Sequence, residues 1–344
     1  MITVCPLGHY AHRQPLAYAP IRAACAGTIA VTDDPEAADI LVVAHAKDLL
    51  SEGAALAMGH ATGRRVVLLS EEPLWDTVWH GDPLTRVQVQ QTRLGPLPYV
   101  FLNHATPGLY EFDRVPYFLL TDPAFFTRYA TWFARNARLD AAAWRAAWPG
   151  RARDAAFVAE YRDEPRFDVA LPGFTGLGRW RTQVALACDG ARVLRAGAGW
   201  NDLPRRQTLP DWHLEKFLDL DGRYRVMSAI ENTHAAQYVS EKVFDAMAIG
   251  AVPACVAGPG HRLADLLPAG SWIELDGLTP EEAAAAILDF DPDPAFFERY
   301  AAAQAALARL FSGPGPIRAE YRRFAAALTA EFERVLSQPL VTGS

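Results

Sequence analysis

Residues 224–254 read YRVMSAIENTHAAQYVSEKVFDAMAIGAVPA. RVMSAI has the apolar content of a buried strand, and the polar run ENTHAAQY marks its end. Ser240 then stands as the N-cap of a helix whose core face is Val243, Phe244 and Met247. Gly250 closes that helix and VPACV supplies the next strand. The unit is β-loop-α-β, and its helix begins where the preceding strand ends. Such an N-terminus carries free N–H groups and the positive end of the helix dipole, which suits an anion. Lys242 sits in the first turn, where the dipole favours an acid. A cation in that place argues for a negative ligand; the bland alternative is a surface lysine.

The same alternation extends in both directions. ITVCPL (2–7), TIAVT (28–32), DILVVAH (39–45), RRVVLLS (64–70) and YVFLNH (99–104) read as buried strands, with a helix over 48–62 between two of them. Residues 122–148 are helical in pattern, and WPGRARD (148–154) resembles a linker. Strands resume with AAFVAEY (155–161), FDVAL (167–171), ARVLRAG (191–197), AVPACVA (251–257) and SWIEL (271–275). The expectation is α/β with two Rossmann-like parallel-sheet domains facing a central cleft: 1–150, 151–314, and a C-terminal helix and tail over 315–344. In that tail Ile317, Tyr321, Phe324, Leu328, Phe332 and Val335 recur at helical steps and form one apolar face.

The 344 residues carry a net charge of −7 and are 51% hydrophobic, which excludes global disorder. Without a Lys/Arg run the chain is a poor candidate for nucleic acid or an anionic membrane. Its positive residues are nearly all arginine; Lys47, Lys216 and Lys242 are the exceptions. Cys5, Cys25, Cys188 and Cys255 form no C-x-x-C pair, which favours a reducing compartment. No basic flank leads an apolar run at the N-terminus, and no run is long enough to span a bilayer. These features predict a cytoplasmic protein with no transmembrane segment.

The string IEN…YVSEK…GAVP resembles the α-1,3/1,4-fucosyltransferases, whose signature runs FEN-S/T, then Y-V-T-E-K, then G-A/V-V-P. Ile230 replaces the Phe and Ser240 the Thr. SEEP (70–73) is similar to the family's F-E-S-P, and DRVPYF (113–118) to its D-x-x-V/M-P segment. The F-N-W-T-x-S-Y-R stretch of animal members and the heptad tail of some bacterial ones have no counterpart here. The resemblance implies a soluble bacterial member of this family of inverting GT-B enzymes. It would move L-fucose from GDP-β-L-fucose to a glycan hydroxyl, with an α-1,3-type linkage. GDP-fucose enters as a substrate and no cofactor is expected.

By the same resemblance, Lys242 and either Arg205 or Arg206 hold the diphosphate, and Glu241 contacts the ribose. Asn232 and Tyr238 line the donor pocket, and Glu231 shares their loop. A further family arginine corresponds to Arg179, or less well to Arg181. Glu71 falls on the family's proposed base and Glu72 one step off; both follow a strand that ends at Ser70. Because the motif grips the nucleotide more than the sugar, another nucleotide sugar remains an alternative, as does a non-catalytic binding relative.

Other constellations point elsewhere weakly. GFTGLG (173–178) reverses the order of a dinucleotide fingerprint, and GAG (197–199) lacks its following helix and acid. The nine histidines never pair as zinc ligands, and His234 is notable only for lying in the motif loop. DFDPDP (289–294) reads as a turn between helices instead of a metal site. Trp75 and Trp79 are candidates for a sugar-stacking wall or for plain packing.

Overall fold

The computed structural model describes residues 1–73, 82–200 and 210–338. They form two compact units, Met1–Pro123 with Ile317–Ser344, and Ala124–Pro316.

In the first unit, strands β1 (Ile2–Pro6), β2 (Ile29–Val31), β3 (Ile40–Val43), β4 (Arg65–Leu69), β5 (Val87–Thr92) and β6 (Gly95–Leu102) make one sheet in the order β2-β1-β3-β4-β6-β5. Every pairing is parallel except the β5–β6 hairpin. β3 is ILVV and wholly buried, as a central parallel strand covered on both faces must be. β5 has no counterpart in the sequence reading. VQVQQT is too polar to read as a buried strand, and it lies at the sheet edge where such polarity is tolerated. The helix expected over 48–62 begins earlier and is split into Ala46–Ser51 and Gly53–Ala61. His45 Nδ1 caps its start by accepting from Lys47 N at 3.0 Å. The helix Gly315–Ser337 buries Ile317, Phe324, Leu328, Phe332 and Val335. Phe324 packs against Tyr110 and Tyr117.

The second unit holds β7 (Arg153–Val158), β8 (Ala170–Leu171), β9 (Phe174–Gly176), β10 (Val193–Ala196), β11 (Tyr224–Ser228), β12 (Thr233–His234), β13 (Val252–Cys255) and β14 (Ile273–Glu274). Its main sheet is all parallel in the order β10-β7-β11-β13-β14. FDVAL was expected to join that sheet. Instead only Ala170–Leu171 is extended, pairing with β9 in a small antiparallel sheet completed by β12. Pro165 and the Pro172–Gly173 turn bound the segment, and Gly173 has φ +79, so no longer strand fits.

The division between units differs from the boundaries expected at 150 and 314. Helix Pro123–Asn136 counts with the second unit from Ala124 onward, because Tyr129 and Phe133 pack among Phe217, Phe244 and Phe311. The terminal helix, set apart over 315–344 with its apolar face expected to pack against the body of the protein, belongs to the first unit through Phe324 and its neighbours. Among the described residues, no helix is long and apolar enough to cross a membrane.

Candidate active site

β11 ends at Ser228, and Ala229 N donates to Ala254 O at 2.9 Å before the chain leaves the sheet. Glu231 in the loop gathers three donors. Ser240 N donates to its Oε1 at 2.8 Å, Ser240 Oγ to the same oxygen at 2.7 Å, and Lys242 Nζ to Oε2 at 2.8 Å. Ser240 occupies the N-cap of helix Glu241–Ala248 as expected, yet its hydroxyl makes no cap bond and serves Glu231 and Lys242. Lys242 is therefore no isolated surface cation: it pairs with Glu231 and lies 3.6 Å from Glu241. Burial alone would lower the Lys242 pKa, but the two carboxylates raise it above its ordinary value. Burial likewise pushes Glu241 up, and Lys242, Lys216 and His213 outweigh it, holding this carboxylate below its usual range.

A second helix start meets this loop. Leu177 N donates to Asn232 O at 2.8 Å, and β12 pairs Thr233 with Gly176 and His234 with Thr175. Gly176 is required there, since a Cβ would stand 2.5 Å from Phe167 O. Of the two arginines on helix Gly178–Ala187, Arg179 points to the surface and pairs with Asp163 and Asp168. Arg181 is the buried one, 6% exposed, with Nη1 3.5 Å from Ile230 O. Burial, then the neighbouring Arg162, lowers its pKa to about 10, while Glu231 and Tyr238 act in the opposite sense. At neutral pH it stays charged. The structure thus places Arg181, the less favoured match, beside the motif loop. Arg205 and Arg206 lie outside the described residues, as do Trp75 and Trp79.

Among the described residues, several buried polar atoms on or near this loop have no hydrogen-bond partner: Thr233 Oγ1, His234 Nε2, Gln237 Oε1, Glu241 Oε2 and Arg181 Nε. Buried groups are normally satisfied, so each of these atoms is available to a polar ligand. Tyr238 is buried in the same loop, and His234 stacks on His261 at 5.4 Å. Beneath the helix lies a layer that sequence reasoning missed. Lys216 pairs with the fully buried Asp245, which also accepts from Tyr129 OH at 2.7 Å. Sequence spacing does not join Lys216 to Asp245, because the two lie 29 residues apart.

In the first unit the β4 strand end presents Glu71. Ser70 N donates to Leu102 O at 2.9 Å, so the sheet is still paired one residue earlier. Tyr18 OH donates to Glu71 Oε1 at 2.7 Å and Tyr117 OH to Oε2 at 2.8 Å. His104 Nε2 donates to the Glu71 carbonyl at 2.8 Å. Burial raises the Glu71 carboxyl to about 7; the two phenols pull it down, and Glu72 pushes it up. That value suits a general base at neutral pH. Glu72 uses its backbone N–H toward Ser70 Oγ at 3.4 Å. Tyr117 lies in the DRVPYF segment, so the two N-terminal stretches singled out in sequence meet in space. Nothing local pointed to Tyr18 or His104.

DFDPDP is a turn between helices Pro280–Leu288 and Pro294–Leu310, with Asp293 capping the second. Among the described residues no group of three or more His, Cys, Asp or Glu is arranged to hold a metal ion.

Compared with known families, residues 205–308 match glycosyltransferase family 10 (fucosyltransferase), C-terminal part. The chain finds no match among curated proteins. It is similar to a crystal structure of an α1,3-fucosyltransferase with GDP-fucose at 12% identity and a TM-score of 0.45, covering 98% of this chain and 90% of that one. A crystal structure of an α1,3-fucosyltransferase with GDP gives 13% identity and a TM-score of 0.43 over the same shares. The matched segment contains β11, the Glu231 loop, Ser240, Glu241, Lys242 and β13, so the motif loop lies within the part of the chain that is similar to glycosyltransferase family 10.

Proposed function

We propose that the protein transfers L-fucose from GDP-β-L-fucose to a hydroxyl of a glycan acceptor, with inversion and an α-1,3-type linkage. The observation that carries this reading is the Lys242–Glu231 pair at a helix N-terminus inside the matched segment, with Arg181, upstream of that segment, reaching the same loop at Ile230 O. A departing GDP gains negative charge, and preorganised cations with a helix N-terminus stabilise it. We assign the diphosphate to Lys242 and Arg181 in preference to Arg179, whose guanidinium is engaged by Asp163 and Asp168. Arg205 or Arg206 would add to them.

Glu231 holds Lys242 before the donor arrives and releases it to the diphosphate. Glu241, ionised and with Oε2 unengaged, is the acceptor for the ribose hydroxyls. Asn232 and Tyr238 complete the donor wall. Glu71 takes the proton of the acceptor hydroxyl, and Glu72 is the reserve candidate. In this reading cations do the work that a metal does in other nucleotide-sugar enzymes, so no cofactor is needed. The four free, buried cysteines support a cytoplasmic setting.

A calorimetric screen of GDP-fucose, GDP-mannose, UDP-galactose and GDP tests the donor. GDP-fucose and GDP should bind and UDP-galactose should not. Preference for GDP-mannose or UDP-galactose would move the reading to another nucleotide sugar.

A further inference from the structure

The Glu71 carboxylate is held by more than its strand. Its backbone is fixed on one side by Ser70 N to Leu102 O at 2.9 Å, and its own carbonyl accepts from His104 at 2.8 Å. Burial keeps His104 neutral by lowering its pKa to about 4. The ring stacks on Tyr110 at 4.2 Å, and Tyr110 in turn donates to Ser70 O at 2.6 Å. The two phenols then take one oxygen each, from opposite parts of the chain. Tyr18 follows the turn Pro15–Ala17, and Tyr117 opens the turn Tyr117–Leu120. Tyr117 is itself wedged between Tyr110 at 4.8 Å and Phe324 of the terminal helix at 5.0 Å.

We propose that Tyr18 and Tyr117 are positioning residues for the Glu71 carboxylate, fixing its plane and holding it in the form that can accept a proton; this rests on the reading of Glu71 as the base. A carboxylate has about four acceptor positions, and two phenols leave room for an incoming hydroxyl. Hydrogen bonds to the charged form favour it over the acid. Burial works against ionisation, so the phenols decide how much carboxylate exists at neutral pH. The other groups facing it are Glu72, which disfavours ionisation, and Arg13, which favours it. Both phenols have pKa values raised by burial and by Glu71, so they remain donors throughout the working range.

The test is a ¹³C NMR titration of protein labelled at the glutamate carboxyls, with the Glu71 signal assigned by its loss in Glu71→Gln. In Tyr18→Phe the Glu71 midpoint should rise by about one pH unit, the size expected for one lost hydrogen bond to a charged group. Tyr117→Phe should do the same, and Tyr18, less enclosed, is the variant safer for folding. An unchanged or lowered midpoint in Tyr18→Phe overturns the proposal. GDP release from GDP-fucose over the same pH range reads the base separately. The Phe variants should lose rate below the new midpoint and regain it above. Wild-type GDP release by Glu71→Gln would refute the base assignment, while the NMR midpoint still decides whether the phenols control this carboxyl.

Discussion

Lys242 Nζ stands 2.8 Å from Glu231 Oε2, tying the first turn of helix Glu241–Ala248 to the loop that leaves β11. The pair is mostly shielded, with side-chain exposures of 20% and 12%. On the proposed assignment of Lys242 to the diphosphate, donor binding and local stability share one contact. Lys242→Ala should weaken GDP binding and also leave Glu231 without its cation. The expected destabilisation is ~1.5–3 kcal/mol, the range for a hydrogen bond to a charged group. Isothermal titration with GDP and urea unfolding measure the two effects. Wild-type GDP affinity in the variant would remove Lys242 from the donor site.

Arg181 and Arg179 separate cleanly by substitution. Arg181→Ala should reduce GDP affinity by about tenfold or more, one charge-assisted contact being worth at least 1.4 kcal/mol. Arg179→Ala should stay within about threefold, because exposed ion pairs contribute little. The reverse ranking would restore the assignment suggested by the motif register.

The sheet strands were legible because buried parallel strands such as ILVV (40–43) and VPAC (252–255) carry near-continuous apolar runs. The Glu231–Lys242 loop was legible because its residues are close in sequence. What could not be read was long-range: Tyr18 and Tyr117 reach Glu71 across 53 and 46 residues, and Lys216 reaches Asp245 across 29. Arg179 and Arg181 share one helix, and sequence spacing could not tell which is turned inward. β5 was missed because its glutamines hide an edge strand.

Glu71 gives a stability signature with a definite sign. Its carboxyl titrates near 7 in the folded chain against an ordinary 4.5, so the folded state keeps a proton that the unfolded chain has lost. That contribution is complete below the ordinary value and disappears as pH rises through about 7. Glu71→Gln should match wild type in thermal stability at pH 4.5. At pH 8 it should be more stable by about 1–2 kcal/mol, less than full linkage because the carboxylate still meets solvent. Equal stability at pH 8 would argue against a raised carboxyl.

Lys216→Met should destabilise the second unit by ~3–5 kcal/mol, because Asp245 would keep a buried charge without its cation. Urea denaturation reads this directly. A loss below 1 kcal/mol would mean that Asp245 is already neutral in the native state.

Chelation with excess EDTA should leave GDP release from GDP-fucose unchanged, since Lys242 and Arg181 are the proposed partners of the diphosphate. A strict Mg²⁺ or Mn²⁺ requirement would contradict that electrostatic assignment.

The most direct measurement is chromatographic detection of GDP released from GDP-fucose by the purified protein, compared with Glu71→Gln. The wild type should release GDP, with water as a slow acceptor. Glu71→Gln should be slower by ~10²–10⁴, the usual contribution of a general base, while binding GDP-fucose as tightly. GDP release by the variant within a few-fold of wild type, or turnover of UDP-galactose in place of GDP-fucose, would contradict the account.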